Sequence, residues 1–129
     1  MGMSGSSVGP HLELLDSAND DYDLATGANV YQGTPSTTEA LRCQIVLLVG
    51  DGTKNLDASG GDFELTLTLG SNVAEPGPQT IACGTNARSA FETAQFTCPA
   101  NTQVTANLKS PNGDDDDVDV TAYLYRLPS

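Results

Sequence analysis

Tryptophan is absent from this chain, histidine occurs once, as His11, and five basic residues stand against seventeen acidic ones. Each scarcity narrows the function. A single histidine works against a histidine-rich metal centre and against imidazole acid–base chemistry. A formal net charge of −12 at pH 7 repels the phosphates of nucleic acids and anionic lipid surfaces. Neither a nucleic acid nor a membrane is therefore an expected partner; a basic protein surface or a divalent cation is the natural counterpart. Long apolar runs are missing too. The longest, Ile45 to Val49, falls far short of the roughly 20 residues that cross a bilayer. The opening decapeptide MGMSGSSVGP has neither a basic region nor a hydrophobic segment. It does not read as a secretory signal, and synthesis in a cytoplasm is expected.

Cysteine is sparse as well. Cys43, Cys83 and Cys98 form no metal-ligand spacing and read as small buried apolar residues. The alternative is a Cys83–Cys98 bridge, which needs an oxidising environment and would suit a secreted adhesion domain.

What the chain does hold is strands and turns. Its 129 residues suit one domain, and 13 glycines with 7 prolines suit many turns. Residues 1–10 are expected to be a flexible arm, and residues 11–129 a single domain. His11 to Leu15 is a short candidate first strand. Asp21 to Ala25 and Ala28 to Gln32 are weaker and polar. "STTEALR" (Ser36 to Arg42) carries a helix-start signal of at most one turn. "LRCQIVLLV" (Leu41 to Val49) is the most apolar strand, and its unalternating end suits burial on both faces.

After the turn-rich stretch Gly50 to Asp62, "FELTLTL" sends Phe63, Leu65, Leu67 and Leu69 one way and Glu64, Thr66 and Thr68 the other. That period of two means one dry face and one wet face. "QTIAC" follows, then "FETAQFTC" with Ala94, Phe96 and Cys98 on one face. "TQVTANLK" buries Val104, Ala106 and Leu108, and "VDVTAYLYRL" buries Val118, Val120, Ala122 and Leu124. Seven or eight strands with frequent turns make an all-β chain: a single antiparallel β-sandwich, jelly-roll or immunoglobulin-like.

The acidic clusters fail as calcium-binding loops and read as solvated turns, with a loose surface calcium as the alternative. Asn19, Asp21 and Asp23 have the alternate spacing of a calcium loop, but its glycine position is Leu24. Asp51, Thr53 and Asn55 meet Leu56 there, and the pair Asp114 and Asp116 runs into Val118 at the fifth position, where an oxygen ligand belongs. No metal or other cofactor is expected. Asp114 to Asp117, after "PNG", read as an acidic turn that keeps one end of the sandwich wet. No catalytic residue is assigned either: chance carboxylate pairs carry no signal, and "GDGTKN" lacks the ending of a phosphate loop. An enzyme is not expected.

The outward register of the last strand is more informative: Asp119, Thr121, Tyr123, Tyr125 and Leu127. Tyrosines there can be ordinary cross-strand packing. Two of them beside Leu127, together with Val46 and Leu48 of the apolar strand, also make a candidate protein–protein interface.

Across residues 56–127 the sequence resembles small β-sandwich accessory proteins of tailed bacteriophages. The likeness is carried by "GGDFELTLTLG", "PQTI" and "LKSPNGDDDDVDVTAYLY". It implies a non-enzymatic virion component made in the host cytoplasm, with a head decoration or cement protein as the best fit. The implied partner is the major capsid protein or another virion protein, and a homo-oligomer, a cyclic trimer, is expected. The alternative is a tail or fibre module binding a host glycan or receptor, a reading weakened by the absence of tryptophan.

Overall fold

In the computed structural model of the chain, the described residues are 12–50, 61–74, 77–83, 89–110 and 118–128. The N-terminal arm, His11, the stretch 51–60 and the run Asp114 to Asp117 lie outside them, as do the side chains of residues 61, 62, 82 and 83.

The strands are β1 (Glu13–Tyr22), β2 (Ala28–Gly33), β3 (Leu41–Val49), β4 (Gly61–Leu69), β5 (Asn72–Val73), β6 (Gln79–Cys83), β7 (Ser89–Glu92), β8 (Phe96–Cys98), β9 (Val104–Lys109) and β10 (Val118–Arg126). They pair from the outside inwards. β1 joins β10, β2 joins β9, β3 joins β7 and β8, and β4 joins β5 and β6, all antiparallel. Alternate pairs go to opposite sheets. The first sheet runs β1-β10-β3-β7, with β8 also on β3; the second runs β2-β9-β4-β5, with β6 also on β4. This nested winding is the double Greek key of a jelly roll. The strand order thereby decides between the two sandwiches expected from the sequence.

Period-two alternation builds the core. Val104, Ala106 and Leu108 of β9 meet Val118, Val120, Ala122 and Leu124 of β10 inside the sandwich, all buried. Phe63, Leu65 and Leu67 are buried as expected, while Leu69 is half-buried and only packs against the core. At the end of β4 the chain reverses through Gly70 and Ser71, between the paired Leu69 and Asn72. Gly70 has φ 64°, the left-handed value that a two-residue hairpin turn asks of its first position.

Two expectations are corrected and a third is narrowed. The first strand extends to Tyr22, far past Leu15. It is an edge strand, and only Leu15, Ala18 and Tyr22 lean on the core. A bulge at Leu15, between the paired Leu14 and Asp16, breaks the alternation. "STTEALR" forms no helix: residues 34–40 are bends and coil. The cap nevertheless exists, since Ser36 Oγ accepts the N–H groups of Thr38 and Glu39 at 3.2 and 3.1 Å. "FETAQFTC" is two strands, not one. Thr93, Ala94 and Gln95 stand opposite Gln44 and Ile45, one residue too many for a straight ladder. Buried Thr93 bridges the gap, and Ala94 is only half-buried. The Thr93 N–H donates to Ile45 O at 2.8 Å, and Thr93 Oγ1 accepts the Ile45 N–H at 3.0 Å. A side-chain oxygen thus stands in for the missing strand carbonyl.

Candidate functional site: the outer face of the first sheet

The register of the first sheet brings distant residues onto one outward face. Tyr123 lies between Ser17 of β1 and Val46 of β3, and Thr121 between Asn19 and Leu48. Tyr125 lies between Leu14 and Gln44. Beyond β3, Leu48 faces Ala90 and Val46 faces Glu92 on β7. An apolar strip results, crossing the sheet from Leu14 through the two tyrosines to Val46, Leu48 and Ala90.

Tyr123, Tyr125, Val46 and Leu48 are half-buried in the single chain, and Leu14 is 52% exposed. The tyrosine rings sit 6.4 Å apart, tilted by 35°, the range of favourable ring–ring packing. They support each other on a stiff strand that is hydrogen-bonded on both sides. Leu127 follows the end of β10, half-buried, with its N–H donated to Arg42 O at 2.8 Å.

The rim of the strip is polar and mostly acidic. Asp119 and Asp21 are direct cross-strand partners at one end, an arrangement that costs stability through like-charge repulsion. Asn19 relieves part of it: its Nδ2 donates to Asp119 Oδ1 at 3.1 Å and to Thr121 Oγ1 at 2.6 Å. Glu92 flanks Val46. Arg42, at the other end, donates to Thr97 Oγ1 at 3.2 Å.

Of the five residues singled out in the sequence, four share this strip and Leu127 lies just past its end. Leu14 was missed. Its apolar neighbours are on β10, more than a hundred residues away in the chain, and only the register reveals them.

The other sequence candidates scatter. Asn19 and Asp21 are in β1, not in a loop, and Asp23 accepts the Ala25 N–H at 3.0 Å. Among the described residues, no group of three His, Cys, Asp or Glu side chains converges as a metal site would. Cys43 and Cys98 are buried free thiols. Burial, and secondarily Cys98, pushes the Cys43 thiol up to about 11, and burial raises Cys98 as well. Both stay protonated and unreactive near neutrality. Cys98 Sγ donates to Thr102 O at 3.4 Å; the Cys83 side chain, the other half of the alternative bridge, lies outside the described residues.

No family model matches the chain, and no curated protein matches it. Solved structures that it resembles include the VP2 subviral particle of infectious bursal disease virus. That likeness has 11% identity and a TM-score of 0.47 over 92% of this chain and 32% of that one. The Gx strain of the same virus gives 11% and 0.45 over 95% and 32%. The chain spans about a third of the length of these viral chains. They come from an animal virus and are not tailed-phage accessory proteins. At this level of likeness, the jelly-roll assignment rests on the strand order itself.

Proposed function

We propose that this chain is a non-enzymatic virion structural protein that decorates a capsid and stabilises the shell through protein–protein contacts. One observation carries the reading: a stiff outer sheet face with paired tyrosines and aliphatic residues at its centre and a polar rim around them. Aromatic-centred, polar-rimmed patches are how proteins dock on proteins. The jelly roll is common to viral capsid and lectin domains, and a fold alone selects neither. The resemblance in residues 56–127 points to the virion. The acidic rim and the net charge of −12 call for a shell surface with basic groups around an apolar centre. Binding across subunit junctions would favour the assembled shell by mass action.

The test is co-sedimentation of the purified chain with empty capsids, run beside a glycan array. Saturable binding to capsids with a blank array supports the reading. Glycan binding without capsid binding would replace it with a receptor-binding tail or fibre module.

A further inference from the structure

The chain's acidic first strand has a second property, independent of what the outer face binds. β1 pairs with β10 on one side, and among the described residues no strand covers its other side. Such an edge is a template for pairing with another chain.

Which peptide groups face that edge follows from the ladder. Gly50 N–H donates to Asp119 O at 2.7 Å, so Asp119, and with it Thr121 and Tyr123, turn their peptide groups toward β3. Their partners in β1 are Asp21, Asn19 and Ser17. Opposite residues in an antiparallel pair either exchange hydrogen bonds or both turn away. Ser17, Asn19 and Asp21 therefore direct their N–H groups outward, to the open edge.

Two of those three donors are already taken, each by the carboxylate of the residue before it. Asp16 Oδ1 accepts the Ser17 N–H at 2.9 Å, and Asp20 Oδ1 accepts the Asp21 N–H at 2.8 Å. Asp16 and Asp20 sit in the inward register of the strand, opposite Leu124 and Val120, where an interior strand would place apolar residues. The Asp16 cap is also held from behind, because its Oδ2 accepts the Tyr31 hydroxyl of the second sheet at 2.8 Å.

We propose that β1 is a self-capped edge: Asp16 and Asp20 close it against antiparallel pairing with β1 of a second copy, the association that opens when the caps are removed. The side-chain oxygens of Asp16 and Asp20 occupy donors that a second β1 strand needs.

The test uses the full chain with paired substitutions. Asp16→Ala with Asp20→Ala removes both caps. Asp16→Asn with Asp20→Asn removes the charge but keeps an oxygen in each capping position. In sedimentation velocity, the alanine variant is expected to form a larger species at a concentration at least about tenfold lower than wild type, the factor one recovered hydrogen bond of ordinary strength supplies. The asparagine variant is expected to stay close to wild type. Adding Ser17→Pro to the alanine variant removes an edge donor without breaking the β10 ladder, and is expected to reverse the association. Asp20→Ala against Asp20→Asn repeats the comparison away from Tyr31, should the double variant not fold. Equal association of the alanine and asparagine variants, or none in a folded alanine variant, overturns the proposal. So does association that survives Ser17→Pro.

Discussion

Tyr31, 3% exposed in the second sheet, donates its hydroxyl to Asp16 Oδ2 on the first sheet at 2.8 Å. The bond ties the two edge strands β1 and β2 across the open side of the sandwich. Burial first, and then this hydrogen bond, raises the tyrosine above its ordinary value of 10.0.

Tyr31→Phe is expected to cost about 1.5–3 kcal/mol, the loss of a hydrogen bond to a charged acceptor, read as a lower midpoint in urea unfolding. The pH dependence has a definite sign. A raised folded value means that the unfolded chain loses this proton first, so the contribution is complete below pH 10 and declines as pH rises beyond it. Wild type should therefore lose part of its advantage over Tyr31→Phe above about pH 10. A constant difference between pH 8 and 11 would argue against the bond.

Gly33 makes room for that hydroxyl. A Cβ built there collides with Tyr31 Oη and lies 2.9 Å from Cζ, closer than real atoms approach. Gly33→Ala must displace the ring, so its cost should overlap with that of losing the bond. We expect the double variant Gly33→Ala, Tyr31→Phe to be less destabilised than the sum of the singles by about 0.5 kcal/mol or more. Additive effects would mean that the alanine is accommodated without moving Tyr31.

Thr93 offers a test within the first sheet. Its hydroxyl oxygen is the acceptor of the buried Ile45 N–H, and Thr93→Val keeps the shape while removing that acceptor. An unsatisfied buried donor costs about 1–3 kcal/mol, so valine should destabilise by that amount and Thr93→Ser by clearly less. Equal stabilities for the two variants in guanidinium unfolding would show that the backbone alone holds the bulge.

Thr93 also marks where the sequence stopped being legible. The inward residues of β9 and β10 could be read directly, because Val104, Ala106, Leu108 and Val118, Val120, Ala122, Leu124 keep strict alternation on long regular strands. "FETAQFTC" alternates in the sequence too. The extra residue shifts its parity, so buried Thr93 takes a place that the pattern gave to Ala94. β1 hid for two reasons: the Leu15 bulge breaks its period, and an exposed edge strand can carry Asp16 and Asp20 in its inward register. The candidate interface was half legible. Tyr123, Tyr125, Val46 and Leu48 follow from alternation within their own strands, whereas their adjacency, and that of Leu14, depends on pairing between segments far apart in the chain.

That adjacency supplies the most direct test of the functional proposal. Tyr123→Ala with Tyr125→Ala removes the aromatic centre of the strip while leaving the inward Ala122 and Leu124 in place. Each tyrosine is half-buried, so the folded state loses cross-strand packing worth roughly 0.2–1 kcal/mol per pair. Aromatic residues at the centre of an interface commonly contribute ~2 kcal/mol or more each. Capsid co-sedimentation should therefore weaken by about a hundredfold or more, while the melting temperature falls by only a few degrees. Glu92→Ala, at the rim of the same face, should change binding little at high salt and more at low salt. Capsid binding that survives the double tyrosine substitution in a folded protein would place the contact elsewhere on the molecule.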